Sequence, residues 1–224
     1  MLIKDQWLSK ATGINCYNVK NINFLLKKNK LKPKTLITYK KITKKKKLFN
    51  SNFIKIGENI IFKKKIKKKI NFKLENLSLD HSTNNEKKKL IEICVKNMKS
   101  SRFDLDQRIS NKIIYKIRYN WVSSYFLNVK NKIIYSVKIK KNLIGLLCIK
   151  KNKNNIVIDL IGIKKKFIGK GIGEKMINFL EFKFANYKNI LVGTYKENKI
   201  ANNFYKKNGF KKLRSYEVYH CYES

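Results

Sequence analysis

The sequence predicts a chain of the mixed α/β (α+β) class, a mixed central sheet flanked by helices with a smaller N-terminal α+β subdomain in front. Three observations predict it. From Glu86 onward, apolar residues alternate between helical spacing and short strand-like runs. A cluster of glycines, Gly169, Gly171 and Gly173, stands between an apolar run and an amphipathic segment. Hydrophobic residues make up 43% of the 224, enough for a real core in one large domain or two small ones.

Residues 1–80 read as the smaller subdomain. Leu36–Tyr39 and Phe53–Ile56 are strand candidates, and Ile60–Phe62 reads as a third after a turn at Gly57. The segment from Asn23 to Asn29 is ambiguous, and Pro33, the single proline, marks a break. Residues 76–86 are polar enough to serve as a linker. In the second unit, 81–224, Leu90, Ile91, Cys94, Val95 and Met98 recur at helical spacing. A second helix is predicted over Ile109–Tyr125, with Ile113, Ile114, Ile117 and Trp121 on one face. Three strands then meander through Ile133–Ile139, Leu143–Ile149 and Ile156–Ile163. After the glycines comes a helix over Gly171–Tyr187, a strand over Ile190–Tyr195 and a short helix over Asn198–Asn208 that ends at Gly209. Phe210–Leu213 and Tyr216–Tyr222 finish the sheet.

Charge is the most conspicuous part of the composition. The chain carries 54 Lys and Arg against 14 Asp and Glu, a formal net charge of +40. A nucleic-acid binder is the obvious reading. Against it, only four of the cations are arginines: Arg102, Arg108, Arg118 and Arg214. Bidentate base and phosphate contacts favour Arg. The lysines also spread over turns and polar faces, as a solvated surface does. The cysteines Cys16, Cys94, Cys148 and Cys221 form no C-x-x-C pair, so zinc-ribbon and redox motifs are excluded and no metal site is expected. The first residues lack a signal-peptide core and no apolar run reaches membrane length. The expectation is a cytoplasmic protein with reduced thiols and no membrane span.

The segment Phe167-Ile-Gly-Lys-Gly-Ile-Gly173 carries the functional signal. A strand that ends in close-set glycines and opens a helix frees several N–H groups to point one way. With the positive end of the helix dipole they form a nest for phosphate or pyrophosphate. The spacing matches neither the G-x-G-x-x-G dinucleotide fingerprint nor a P-loop. A tight turn with glycines for close packing is the alternative.

About thirty residues later stands Asn198-Lys-Ile-Ala-Asn-Asn-Phe204-Tyr205. The order helix, helix, strand meander, glycine loop, helix, strand, Asn-x-x-Ala-x-x-Phe-Tyr helix resembles the GNAT acetyltransferase superfamily over residues 86–224. The resemblance extends to the bacterial dTDP-fucosamine acetyltransferases. Asp5-Gln-Trp7 with Gly13-Ile-Asn-Cys-Tyr17 is similar to their opening. Ser100-Ser-Arg102-Phe103, the stretch Ile114 to Trp121, and Ser215 to Tyr222 resemble their later motifs.

The resemblance implies acetyl-CoA as co-substrate. The pyrophosphate of coenzyme A would lie on the loop Phe167, Ile168, Gly169, Lys170, Gly171, Ile172 and Gly173, and its pantetheine arm along the strand at Ile161 and Ile163. Ile168 stands where the family has Gln or Arg, so one side-chain contact is missing. A backbone amide near Ile161 or Ile163 would stabilise the oxyanion. Tyr205 falls at the general-acid position, with an ordinary pKa of about 10 against about 8.5 for a thiol. Phe204 takes the place of a cofactor contact, and Asn198 is read either as a cofactor contact or as an N-cap. Asp159 and Arg102 are candidates for binding the acceptor, and Asp159, where some relatives carry a catalytic carboxylate, is also a candidate base. Arg102 would hold a diphosphate or sugar hydroxyls, unless it pairs on the surface with Asp104 or Asp106. Glu174 is either a base or a dipole-matching acid. His81, in the linker, and His220, on the last strand, are expected to be surface or structural.

The implied reaction is acetylation of the 4-amine of dTDP-4-amino-4,6-dideoxygalactose for a surface polysaccharide, enterobacterial common antigen in enteric bacteria. The implied partner is thus a sugar nucleotide, with no specific nucleic acid and with a homodimer left open. A protein or peptide amine as acceptor, and a non-catalytic basic nucleic-acid binder, are the alternatives.

Overall fold

The computed structural model describes residues 2–19, 35–41, 52–67 and 74–223. The ambiguous segment around Asn23–Asn29 and the break at Pro33 lie outside them. In chain order the elements are β1 (Leu2–Lys4), α1 (Gln6–Thr12), β2 (Asn15–Val19), β3 (Thr35–Lys41), β4 (Ile54–Lys65) and β5 (Leu77–His81). Next come α2 (Lys87–Asn97), α3 (Arg102–Leu105), α4 (Asn111–Ser123), β6 (Lys132–Ile139), β7 (Asn142–Asn152) and β8 (Asn155–Ile163). The chain closes with α5 (Ile172–Lys183), β9 (Asn189–Tyr195), α6 (Lys199–Lys207) and β10 (Lys211–Glu223).

All ten strands join one sheet in the order β1-β2-β3-β10-β4-β9-β8-β7-β6-β5. Pairing is antiparallel except for β2 with β3 and β8 with β9. The predicted boundary at residue 80 falls inside β5, and strands from both sides of it share this sheet. Two local expectations are overturned. Gly57 makes no turn: β4 runs unbroken from Ile54 to Lys65. Residues 76–86 are not a linker, because β5 pairs with β6 and buries Leu77 and Leu79. His81 therefore sits on a strand, its ring 4.8 Å from that of Tyr135.

Alternation along the strands splits the core between the two sheet faces. Leu147 and Ile149 face a cluster built on Met176, Leu180, Phe62 and Tyr205, under α5 and α6. Leu146 and Cys148 face Leu90, Cys94 and Val122 of α2 and α4. A third cluster joins Leu8, Cys16 and Leu36 to Phe103, Ile114 and Ile117. All four cysteines are buried and unbridged. Among the described residues no helix is long and apolar enough to cross a membrane.

Candidate active site

The sheet opens where β8 and β9 part. Their parallel pairing runs only from Asn155↔Asn189 to Ile158↔Val192, and then stops. One cause is local. The register against β7 jumps between Cys148/Leu160 and Ile149/Ile158, so Asp159 is an extra, bulged residue. From there one edge of β8 is free. Lys164 N–H bonds back to Ile144 on the β7 side. Strand alternation then turns the N–H groups of Ile163 and Ile161 towards the gap. A cavity of about 630 Å³ fills the gap and reaches both sheet faces.

One end of the cavity is the glycine loop. Gly169 and Gly171 have φ of +83° and +73°, with open space where a Cβ would stand. Side chains rarely adopt that backbone, so glycine is required there for conformation. Gly173 serves packing instead: its Cβ would stand 2.7 Å from Phe204 Cε2. The glycines thus serve two needs, conformation at Gly169 and Gly171 and packing at Gly173. Gly171 caps α5 with no side-chain bond. Among the described residues, the N–H groups from Gly169 to Glu174 meet no acceptor. This is a nest at a helix N-terminus, a geometry that suits an anion. Ile168 is exposed at its rim. Lys170 does not line the cavity; its Nζ lies 5.6 Å from the Phe167 ring centroid, with Lys166 at 5.3 Å.

Tyr205 lines the cavity from α6 while its ring is buried against Phe62, Phe204 and Phe210. Burial raises its phenol pKa well above the ordinary value. It therefore stays protonated, the state a proton donor needs. Asn198 is the N-cap of α6, its Oδ1 accepting from Ala201 N–H at 3.1 Å, and it also lines the cavity. Asp159 is fixed through one oxygen. Oδ2 accepts from Trp121 Nε1 at 2.8 Å and Tyr125 Oη at 2.6 Å, and pairs with Lys150 Nζ at 2.7 Å. Desolvation, then the Asp159 charge, keeps the Tyr125 phenol protonated. Glu174 lies in the first turn of α5 at the cavity wall.

Among the described residues Arg102 pairs with neither Asp104 nor Asp106, the alternative to a role in binding. Asp104 binds Arg118, and Asp106 binds Arg108 and His220. Arg102 instead donates to Thr38 Oγ1 at 3.1 Å. His220 is fully buried, with Nδ1 2.9 Å from Asp106 Oδ2, and is structural. Several cavity residues carry no site signal of their own in the sequence: Asn59, Met98, Arg118, Thr194 and Tyr195, while Phe103 enters from the Ser-Ser-Arg-Phe motif. Asn59 lies in β4, whose place beside β9 no local pattern announces. Met98 could have been found, since it closes the apolar stripe of α2; its Cε would stand 2.5 Å from a Cβ at Gly162.

Comparison with known proteins agrees with this geometry. Residues 130–212 match the acetyltransferase (GNAT) domain model, a stretch from the start of β6 to the start of β10. No curated protein matches the chain. Among solved structures, a functionally unknown conserved protein from Staphylococcus epidermidis aligns with a TM-score of 0.69 at 14% identity, covering 98% of this chain and 88% of its own. A protein from Novosphingobium aromaticivorans described as a GNAT-family acetyltransferase aligns at 0.55 and 9% identity, covering 97% and 80%. A GCN5-related N-acetyltransferase from Sphaerobacter thermophilus aligns at 0.54 and 9%, covering 83% and 59%. At such identities the likeness speaks to the fold. The chain has the GNAT fold, and residues 130–212 match the acetyltransferase (GNAT) domain.

Proposed function

We propose that the protein acetylates the 4-amine of a dTDP-4-amino-4,6-dideoxy sugar of the dTDP-fucosamine kind, in the cytoplasm, for a surface polysaccharide such as enterobacterial common antigen. The carrying observation is a single cavity that joins the unbonded loop amides, the free edge of β8, Tyr205 and Asp159. The sugar nucleotide rests on the resemblance at Trp7–Tyr17, Ser100–Phe103 and Ser215–Tyr222.

The residues divide the work as follows. The amides of Gly169 to Gly173 hold the coenzyme A diphosphate, with Phe167, Ile168, Lys170 and Ile172 around it. Positioning of the thioester turns a two-body reaction into a one-body one. Asn198 and Phe204 flank the pantetheine arm. The sugar amine attacks the thioester carbon, and the N–H of Ile161 or Ile163 receives the oxyanion. The carbon–sulfur bond then breaks, and Tyr205 Oη gives its proton to the departing thiolate. Asp159 Oδ1, which takes no donor among the described residues, receives the substrate ammonium. The ammonium loses one proton to water before it attacks and a second after the bond forms, and a proton from water restores the Tyr205 phenol.

The test is thiol release from acetyl-CoA with dTDP-4-amino-4,6-dideoxygalactose, run beside amine-bearing peptides. Turnover with the sugar and not the peptides is expected. Turnover with peptides alone would overturn the acceptor. No thiol release with any amine, together with no coenzyme A carried through native purification, would overturn the reaction.

A further inference from the structure

The cavity passes through the sheet, and its two ends are built differently. On the α5 and α6 side stand Ile161, Ile163, Met176 and Tyr205. On the other side Gly162 shares a face with Leu146, its partner in β7, and that face packs against α2. Met98, just past the end of α2, lies flat on Gly162. A Cβ at 162 would stand 2.5 Å from Met98 Cε and 3.5 Å from its Cγ, so glycine is required there by what covers it. Met98 is half-buried, and Cys94 Sγ donates to its Sδ at 3.4 Å. Met98, Cys94, Leu160 and Trp121 all line the cavity. Two charged groups of this end, Asp159 and Arg118, are held in ion pairs with Lys150 and Asp104.

A thioester carbon is planar, so two of its bonds fix the direction of the third. Its sulfur points to Tyr205, which protonates the leaving thiolate. Its oxygen lies on an N–H of the free β8 edge. The third bond, which carries the acyl chain, then leaves through the gap to the α2 side, beside Gly162 and Met98. Asp159 stands three residues back along β8, so the amine arrives along the strand and leaves the Gly162 side to the acyl group. The wall there is sulfur and hydrocarbon, from Met98, Cys94 and Leu160, and it suits an apolar chain. Methionine is unbranched and adaptable, so its removal would open space that the strand itself does not fill.

We infer that Met98, seated on Gly162, sets the length of the acyl group that this chain transfers, closing the space behind a short, uncharged acyl thioester of coenzyme A. The inference rests on the acetyltransferase reading. The bonds exchanged are the same for every acyl length, C–S for C–N, with the Tyr205 proton going to the thiolate.

The test is thiol release from acetyl-, propionyl-, butyryl- and hexanoyl-CoA, with dTDP-4-amino-4,6-dideoxygalactose as the amine. Wild type is expected to favour acetyl-CoA over hexanoyl-CoA in kcat/KM by about a hundredfold. Met98→Ala should bring hexanoyl-CoA to within about tenfold of acetyl-CoA. Gly162→Ala works the opposite way, pushing Met98 into the cavity, and should lower propionyl-CoA relative to acetyl-CoA. It decides the matter if Met98→Ala melts early. A structural role alone would lower all four thioesters together. An unchanged ratio of hexanoyl- to acetyl-CoA in Met98→Ala overturns the inference, as does a wild type that uses all four equally. Calorimetry gives the affinities of the same thioesters without the amine. If they bind and no amine is acylated, the acetyltransferase reading fails, and the ratio of affinities in wild type and Met98→Ala still decides Met98. If none of them binds wild type, both fall.

Discussion

Tyr205 and Asp159 enter the same cleft under opposite constraints. The phenol is surrounded by aromatic rings, and the carboxylate is clamped through one oxygen. Tyr205→Phe removes one hydroxyl that has no protein partner among the described residues, so the fold should hold. The expected result is a fall in kcat of about 10² or more with KM for acetyl-CoA unchanged, read by thiol release. His220 gives a second prediction. Desolvation, against the Asp106 hydrogen bond, lowers its pKa from 6.5 to about 4. The unfolded chain therefore binds a proton between those values that the folded chain refuses. Stability should fall as pH drops from 6.5 to about 4 and level off below, a loss of about 3 kcal/mol. Hydrogen bonds from His220 and Arg108 outweigh burial and hold Asp106 well below the usual carboxylate range, so its own loss comes at lower pH. Urea melts across that pH range check this, and His220→Gln should flatten the slope. Residues with a local signature, such as the glycines and Tyr205, were legible in the sequence. Asn59 was not, because its meaning depends on which strand lies beside it.

β4 is the element that the sequence concealed best. Gly57 and the lysines at 63–65 break its apolar pattern, and it reads as two pieces. Its neighbours explain why it is one. Lys64 Nζ meets Glu181 Oε2 of α5 at 2.6 Å, and Glu181 is only 2% exposed. A lysine that looks like one more surface charge is thus the partner of a buried acid. Lys64→Met should cost about 3–5 kcal/mol, because it strands that carboxylate. Lys64→Met with Glu181→Met should recover most of it, and chemical denaturation of both variants is the check. β5 was hidden because its alternation, Leu77-Ser78-Leu79-Asp80, is short and is followed by a polar run from His81 to Glu86. The meander, α5, β9 and α6 were legible because each buries a clean stripe or run between turn residues. At the loop, Gly173→Ala should cost about 1–3 kcal/mol through its contact with Phe204. Phe204→Leu in the same chain should relieve part of that cost in thermal melts.

The molecule as a whole carries 54 cations against 14 acids, and self-repulsion opposes its compact state. Its melting temperature should rise as salt goes from about 10 mM to about 150 mM, where the Debye length shrinks from ~30 to ~8 Å. A flat response would mean that the lysines are too well solvated to matter. Fold class was legible from the C-terminal two thirds, where contacts are mostly between chain neighbours. The sheet order was not, because β3 and β4 pair with β10, about 150 or more residues away, and no local periodicity encodes such a pairing.

That long-range pairing also governs how the molecule is made. β10 joins β1, β2 and β3 to the rest of the sheet, and it leaves the ribosome after every other strand described. Until then β3 and β4 wait with bare edges, open to sticking to other nascent chains. Deleting Lys211–Glu223 would leave β4 paired with β9 but cut β3, with β1 and β2, from the sheet, and the product should be recovered from cells as aggregate.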